Sequence, residues 1–145
     1  MIHAKDLRFG NKVRTRDGET ITVHQLLGNS LIYDTQVRVN REVAAVRGSL
    51  RTAYASQYIE VVKEADYGEV EPITLTPKLL ETCGFRNFVR EEWILSVGNT
   101  HVDFSFTEDG LKLRHPTPGA VPIKYYHQLQ NFLSAVMGYE LIADL

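Results

Sequence analysis

The run Ile123-Lys-Tyr-Tyr-His-Gln-Leu-Gln-Asn-Phe-Leu-Ser-Ala-Val-Met-Gly-Tyr-Glu-Leu141 decides how the rest of the chain is read. At about 100° per residue, Tyr125, Tyr126, Leu129, Phe132, Leu133, Val136 and Met137 share one broad arc. Lys124, His127, Gln128, Asn131 and Ser134 share the other. Gly138 follows the last periodic residue, where a left-handed residue ends a helix. Such a helix needs a surface for its apolar side, and one lies just upstream. Between Phe85 and His115, Trp93, Leu95 and Val97 alternate, then Val102, Phe104 and Phe106, then Leu111 and Leu113. With turns at Gly98-Asn99 and Asp109-Gly110, this period of two predicts a three-stranded antiparallel meander, packed on one face and wet on the other. Thr76-Pro77 supplies an N-cap and a first-turn proline for a second, two-turn helix that stops at Gly84. His115-Pro-Thr-Pro-Gly119 reads as a stiff loop into the final helix.

Working toward the N-terminus, the first 62 residues read as short strands. Leu7-Arg-Phe9, Val13 with Thr15, Thr20–Val23, Leu31–Tyr33, Val37–Val39 and Tyr58–Val62 are separated by turn signals, Asp17-Gly18 the strongest. Gly48 and Ser49 interrupt Arg41–Val46, so residues 41–56 read as a long loop or insertion. The acidic stretch Lys63–Glu71 reads as a connector. The expected fold is α+β. Residues 1–66 form an SH3-like small β-barrel lobe. Residues 67–145 form an α-β-β-β-α lobe, an antiparallel β-meander flanked by two helices, and the two pack as one compact unit.

The 145 residues suffice for a real core. A formal charge of −2 argues against a large electrostatic footprint for nucleic acid. The single cysteine, Cys83, excludes an internal disulfide and a cysteine-rich zinc site, and reads as a small hydrophobe at a helix end. No apolar run of membrane-spanning length and no leader-like segment occurs. The expected setting is a soluble protein of the cytoplasm, with no membrane partner. The histidines at 3, 24, 101, 115 and 127 lack paired ligand spacing, so no metal and no cofactor are expected.

Three strings, Leu7-Arg-Phe-Gly-Asn11, Pro72-Ile-Thr-Leu-Thr76 with Gly84-Phe85, and His127-Gln-Leu-Gln-Asn131 with Gly138 and Glu140-Leu141, span nearly the whole chain. Together they resemble a family of small uncharacterised proteins common in Bacteroidota and in their phages. Members carry a Leu-Arg-Ile-Gly-Asn opening, a Pro-Ile-Pro-Leu-Thr helix start and a Val-His-Gln-Leu-Gln-Asn closing helix. This chain departs from the pattern at Thr74, at Tyr126 and in a shorter middle. The resemblance implies an architecture and a phage or bacterial-cytoplasm setting, and brings no catalytic residues with it.

His127, Asn131 and Ser134 stand at i, i+4 and i+7, a stripe suited to hydrogen-bonding a ligand or partner, or to fixing the preceding loop. Gln130 lies nearer the apolar arc and is expected as a buried amide satisfied by backbone groups. His101, Asp103 and Ser105 share one side of a strand. Neighbours at i and i+2 stand roughly 6–7 Å apart, and no glycine elbow presents the serine, so an ordinary wet face is expected there. Lys5, Arg8, Lys12, Arg14 and Arg16 crowd the first 16 residues with Phe9 among them, and Arg8, Arg14 and Arg16 are the candidate nucleic-acid contacts. The expected function is a non-enzymatic binding module, a phage-type accessory factor that binds a protein or a small anionic ligand such as a signalling nucleotide, with a homo-oligomer left open. The alternatives are a nucleic-acid binder using the basic barrel, and a small hydrolase-like enzyme using His101 and Asp103 or His127.

Overall fold

The structure, a computed structural model, describes residues 2–45, 52–115 and 120–145, and only the backbone of 35–45 and 52–60. Alternation builds the first sheet from β1 (Lys12–Thr15), β2 (Thr20–Leu26), β3 (Ser30–Ala45), β4 (Thr52–Asp66) and β5 (Val70–Glu71). All pairs are antiparallel, in the order β4-β3-β2-β1-β5. Val13, Ile21, Val23, Leu31, Tyr33, Ala65 and Val70 point to one face and are buried there with Ile2 and Leu7. The β1–β2 turn needs a left-handed residue, and Gly18 supplies it at φ +88°.

Four expectations change in this half. The sheet is open rather than closed into a barrel: its end strands β4 and β5 do not pair with each other among the described residues. Leu7–Gly10 forms a loop after a one-turn 3-10 helix, Ala4–Asp6, instead of a strand. Residues 41–45 and 52–56 are strand, not loop, because β3 and β4 stay in register from Ser30↔Asp66 to Ala45↔Thr52, with one irregularity between Glu42 and Ala44. The first sheet also runs past residue 66: a 3-10 turn, Tyr67–Glu69, leads into β5, where Arg14 pairs with Glu71.

The second sheet is a meander of four strands, β6 (Phe85–Val89), β7 (Glu92–Val97), β8 (Thr100–Thr107) and β9 (Gly110–Leu113), one more than expected. The extra strand, β6, buries only Phe85 and has no apolar period to announce it. Helix α1 (Pro77–Thr82) starts as read, with the Leu79 amide donating to Thr76 Oγ1 at 3.1 Å. Helix α2 (Tyr126–Met137) ends at Gly138 in the left-handed region. Tyr126, Leu129 and Leu133 are fully buried in one core with Trp93, Leu95, Phe104 and Leu111. Phe104 sits between Phe85 and Phe132, with ring centroids 5.4 Å and 6.2 Å away. Val136 is an exception, 64% exposed; past Gly138 the chain folds back, and Leu141 and Ala143 close the core instead. The expected loop at 115–119 lies outside the described residues from 116 onward.

The start of α2 is tied to the segment before α1. Tyr126 N donates to Ile73 O at 2.8 Å, and Leu75 N donates to Lys124 O at 2.9 Å. Gly110 sits beside this join at φ +119°, and a Cβ there would lie 2.6 Å from Ile123 O. That oxygen accepts the Leu111 amide at 2.8 Å. Gly110→Ala is therefore expected to lose about 2 kcal/mol from combined backbone strain and contact. A thermal melt matching the wild type would show that the bridge gives way freely.

Candidate functional site

The loop before β1 meets α2 through side chains that the sequence holds 120 or so positions apart, and polar groups make the join. Asn11, fully buried, donates from Nδ2 to Asn131 Oδ1 at 2.9 Å and accepts the Arg8 amide at 2.8 Å. Gln130, also buried, accepts from Lys12 N at 2.9 Å and donates from Nε2 to Gly10 O at 3.2 Å and Leu141 O at 3.1 Å. Arg8 reaches across with Nε donating to Asn131 Oδ1 at 2.6 Å and Nη2 donating to Gln130 O at 3.1 Å. Its guanidinium also grips both Glu140 oxygens, at 3.3 Å and 3.2 Å. Ser134 Oγ donates to Glu140 Oε1 at 2.8 Å. Hydrogen bonds from Arg8 and Ser134 hold the Glu140 carboxyl below the usual carboxylate range.

Four of the six residues singled out for binding thus converge on α2 and the loop before β1. Arg8, Asn131 and Ser134 spend their hydrogen-bonding capacity inside the protein, and Gln130 is the buried, backbone-satisfied amide expected. His127 is 2% exposed instead of lying on a wet face. Its ring stacks on Tyr125 with centroids 5.9 Å apart, and Nδ1 has no hydrogen-bond partner among the described residues. Arg14 and Arg16 stand apart, exposed on and just beyond β1. Arg14 borders a groove between the lobes that is also lined by Glu71, Lys78, Leu79 and Asp144. The basic N-terminal cluster is therefore divided, since Arg8 faces Glu140 and Lys12 Nζ donates to Ala143 O at 2.7 Å. The further members of the join, Asn11, Lys12 and Glu140, carry no periodic signal; Asn11 and Glu140 stand in the opening and closing strings and Lys12 in the basic cluster, none of them with a role assigned by the sequence.

Burial lowers the His127 pKa below the ordinary imidazole value, with Asp6 opposing. The unfolded chain therefore binds more protons than the folded one as pH falls through about 6.5. Stability conferred by neutral His127 is complete above that pH and declines below it. His127→Phe keeps an aromatic body and removes the titration, so its unfolding free energy should fall less between pH 7 and 5 than the wild type's. Parallel pH profiles in denaturant melts would refute this.

Elsewhere, His101 Nδ1 lies 2.7 Å from Ser96 Oγ, on the cross-strand partner, and Asp103 pairs in register with Ile94. His101, Asp103 and Ser105 form no relay. Cys83 is buried, its thiol pushed up to about 11 by desolvation, which suits packing and not nucleophilic attack. Among the described residues no group of three His, Cys, Asp or Glu is placed to hold a metal.

The solvent face of the second sheet carries a hollow of about 470 Å³ lined by Arg86, Asn87, Phe88, Ile94 and His101. It adjoins the β6–β7 turn, where Arg90 has φ +49°, the one positive value at a non-glycine position among the described residues. Such a conformation costs about 1 kcal/mol. Asn87 Nδ2 holds the turn by donating to Arg90 O at 2.8 Å and Glu92 O at 3.1 Å. Comparison with protein-family models, curated proteins and solved structures finds no match in any of the three. No helix among the described residues is long and apolar enough to cross a membrane.

Proposed function

We propose that the chain is a non-enzymatic binding module, a phage-type accessory factor of the bacterial cytoplasm that acts by stoichiometric contact with a protein. The observation that carries this reading is the β3–β4 ribbon. β2 follows β3 only as far as Asp34, whereas β3 and β4 remain paired from Thr35↔Val61 to Ala45↔Thr52. No third strand joins that stretch among the described residues. Eleven residues of strand rise roughly 35 Å, and a two-stranded hairpin alone is marginally stable in water. A ribbon of this length is suited to being completed by a partner. The strand order of the first lobe, with a 3-10 turn before its short last strand, further supports reading it as an SH3-like meander that has opened.

The test replaces residues 37–59 with Asn-Gly, a two-residue hairpin turn. The shortened protein should keep the stability of both cores and lose the partner that the full chain captures from host extract at a fixed stoichiometry. Capture of the same partner at the same ratio by the shortened protein would overturn the reading, as would turnover of any substrate by the full chain.

A further inference from the structure

The hollow beside Phe88 lies on the sheet face turned away from the core, where alternation calls for polar residues. Three features there need a common explanation. Phe88 is 71% exposed and Ile94 is half-buried on the same hollow, so apolar surface is presented to solvent with no internal role. The turn that follows Phe88 and Val89 is held by the Asn87 amide and accepts a left-handed Arg90, which is strain kept at one defined place. The guanidinium groups of Arg86 and Arg90 have no partner among the described residues, whereas nearby Arg114 is paired with Glu92 at 3.3 Å.

We propose that this hollow is a nucleotide site, in which a heteroaromatic base lies against Phe88 and Ile94 and its phosphate is taken by Arg86. An exposed aromatic side chain stacks any base, and a free guanidinium matches phosphate in a two-point fork. The volume falls within the range of small-ligand sites. His101, with Nδ1 engaged by Ser96, presents Nε2 as a further polar group of the wall. The site shares no residue with the ribbon, so the two readings stand or fall separately.

The experiment titrates the full chain with adenosine and guanosine monophosphates, and with a ten-nucleotide single strand, by calorimetry and by the NMR signals of His101. Saturable binding of the mononucleotides is expected, at dissociation constants below about 1 mM. Phe88→Ala and Arg86→Ala should each weaken it at least tenfold, Arg86→Lys should recover part of the loss, and Val62→Ala, on the first sheet, should change nothing. Phe88 and Arg86 are exposed, so circular dichroism should show all variants folded. An oligonucleotide at least tenfold tighter than the mononucleotides assigns the site to single-stranded nucleic acid, and equal affinity assigns it to free nucleotide. No saturable binding of either probe, binding indifferent to both substitutions, or equal binding of an acidic peptide would overturn the proposal.

Discussion

Replacing Gln130 with alanine should lower the unfolding free energy by about 4 kcal/mol, the larger of the two strongest effects expected of this chain. The amide is 4% exposed and joins three backbone groups from two segments, Gly10 O and Lys12 N on one and Leu141 O on the other, as well as the Asn11 amide at 3.4 Å. A buried polar group left without its partner costs about 1–3 kcal/mol. Three such groups lose their partner at once here, and entering water recovers part of the loss. Gln130→Met separates hydrogen bonding from packing, because it keeps the volume and removes every polar contact. The two variants should fall within about 1 kcal/mol of each other if hydrogen bonds dominate. With a urea slope of about 2 kcal/mol/M, the midpoint moves by about 2 M. A shift under about 0.5 M for both variants would mean that the lobes are held together by something other than this join.

Much of the second lobe was legible because its signals are local and redundant. Thr76-Pro77 and Gly84 bracket α1, Gly138 ends α2, and the alternations through Trp93 and Phe104 give β7 and β8 directly. β6 was not legible, since Phe85 is its single buried residue and neighbouring β7 sets its register. The first lobe was misread where pairing is long-range. Arg41–Ala45 and Thr52–Ser56 lack a strong strand pattern of their own and become strand by continuing the register begun at Ser30↔Asp66.

The candidate site shows the same division. Helical spacing put His127, Asn131 and Ser134 on one stripe, and the structure keeps Asn131 and Ser134 together. What spacing cannot show is which residue answers them. Arg8, 123 positions from Asn131, takes the place that the sequence reading left for a ligand. A periodic pattern identifies a face but not its occupant. His127 is the instructive failure: at the first turn of α2 it is buried with its ring stacked on Tyr125, at a position that the period assigns to solvent. The hollow at Phe88 left no mark in the sequence because exposure of one aromatic has no periodicity at all.

Leu133→Ala should cost about 3–4 kcal/mol, within the span of such truncations in well-packed cores. Leu133 has no accessible surface and lies in the cluster that includes Trp93, Phe104, Leu129 and Leu141. Its neighbours come from both the meander and the C-terminal segment, so no single element can relax to fill the space. Leu133→Met, which keeps the volume, should lose less than about 1.5 kcal/mol. For a chain near 150 residues the alanine variant's melting temperature should fall by about 10 °C. Trp93, the single tryptophan, is buried in that same cluster and reports its packing by fluorescence. The first lobe has a separate apolar cluster, joined to this one through the Arg8–Gln130 network. If that join transmits stability, fluorescence and far-ultraviolet circular dichroism should report one common transition in Leu133→Ala, shifted together from the wild type. Two separated transitions, with the fluorescence one earlier, would show instead that the lobes unfold independently and that the polar join only aligns them.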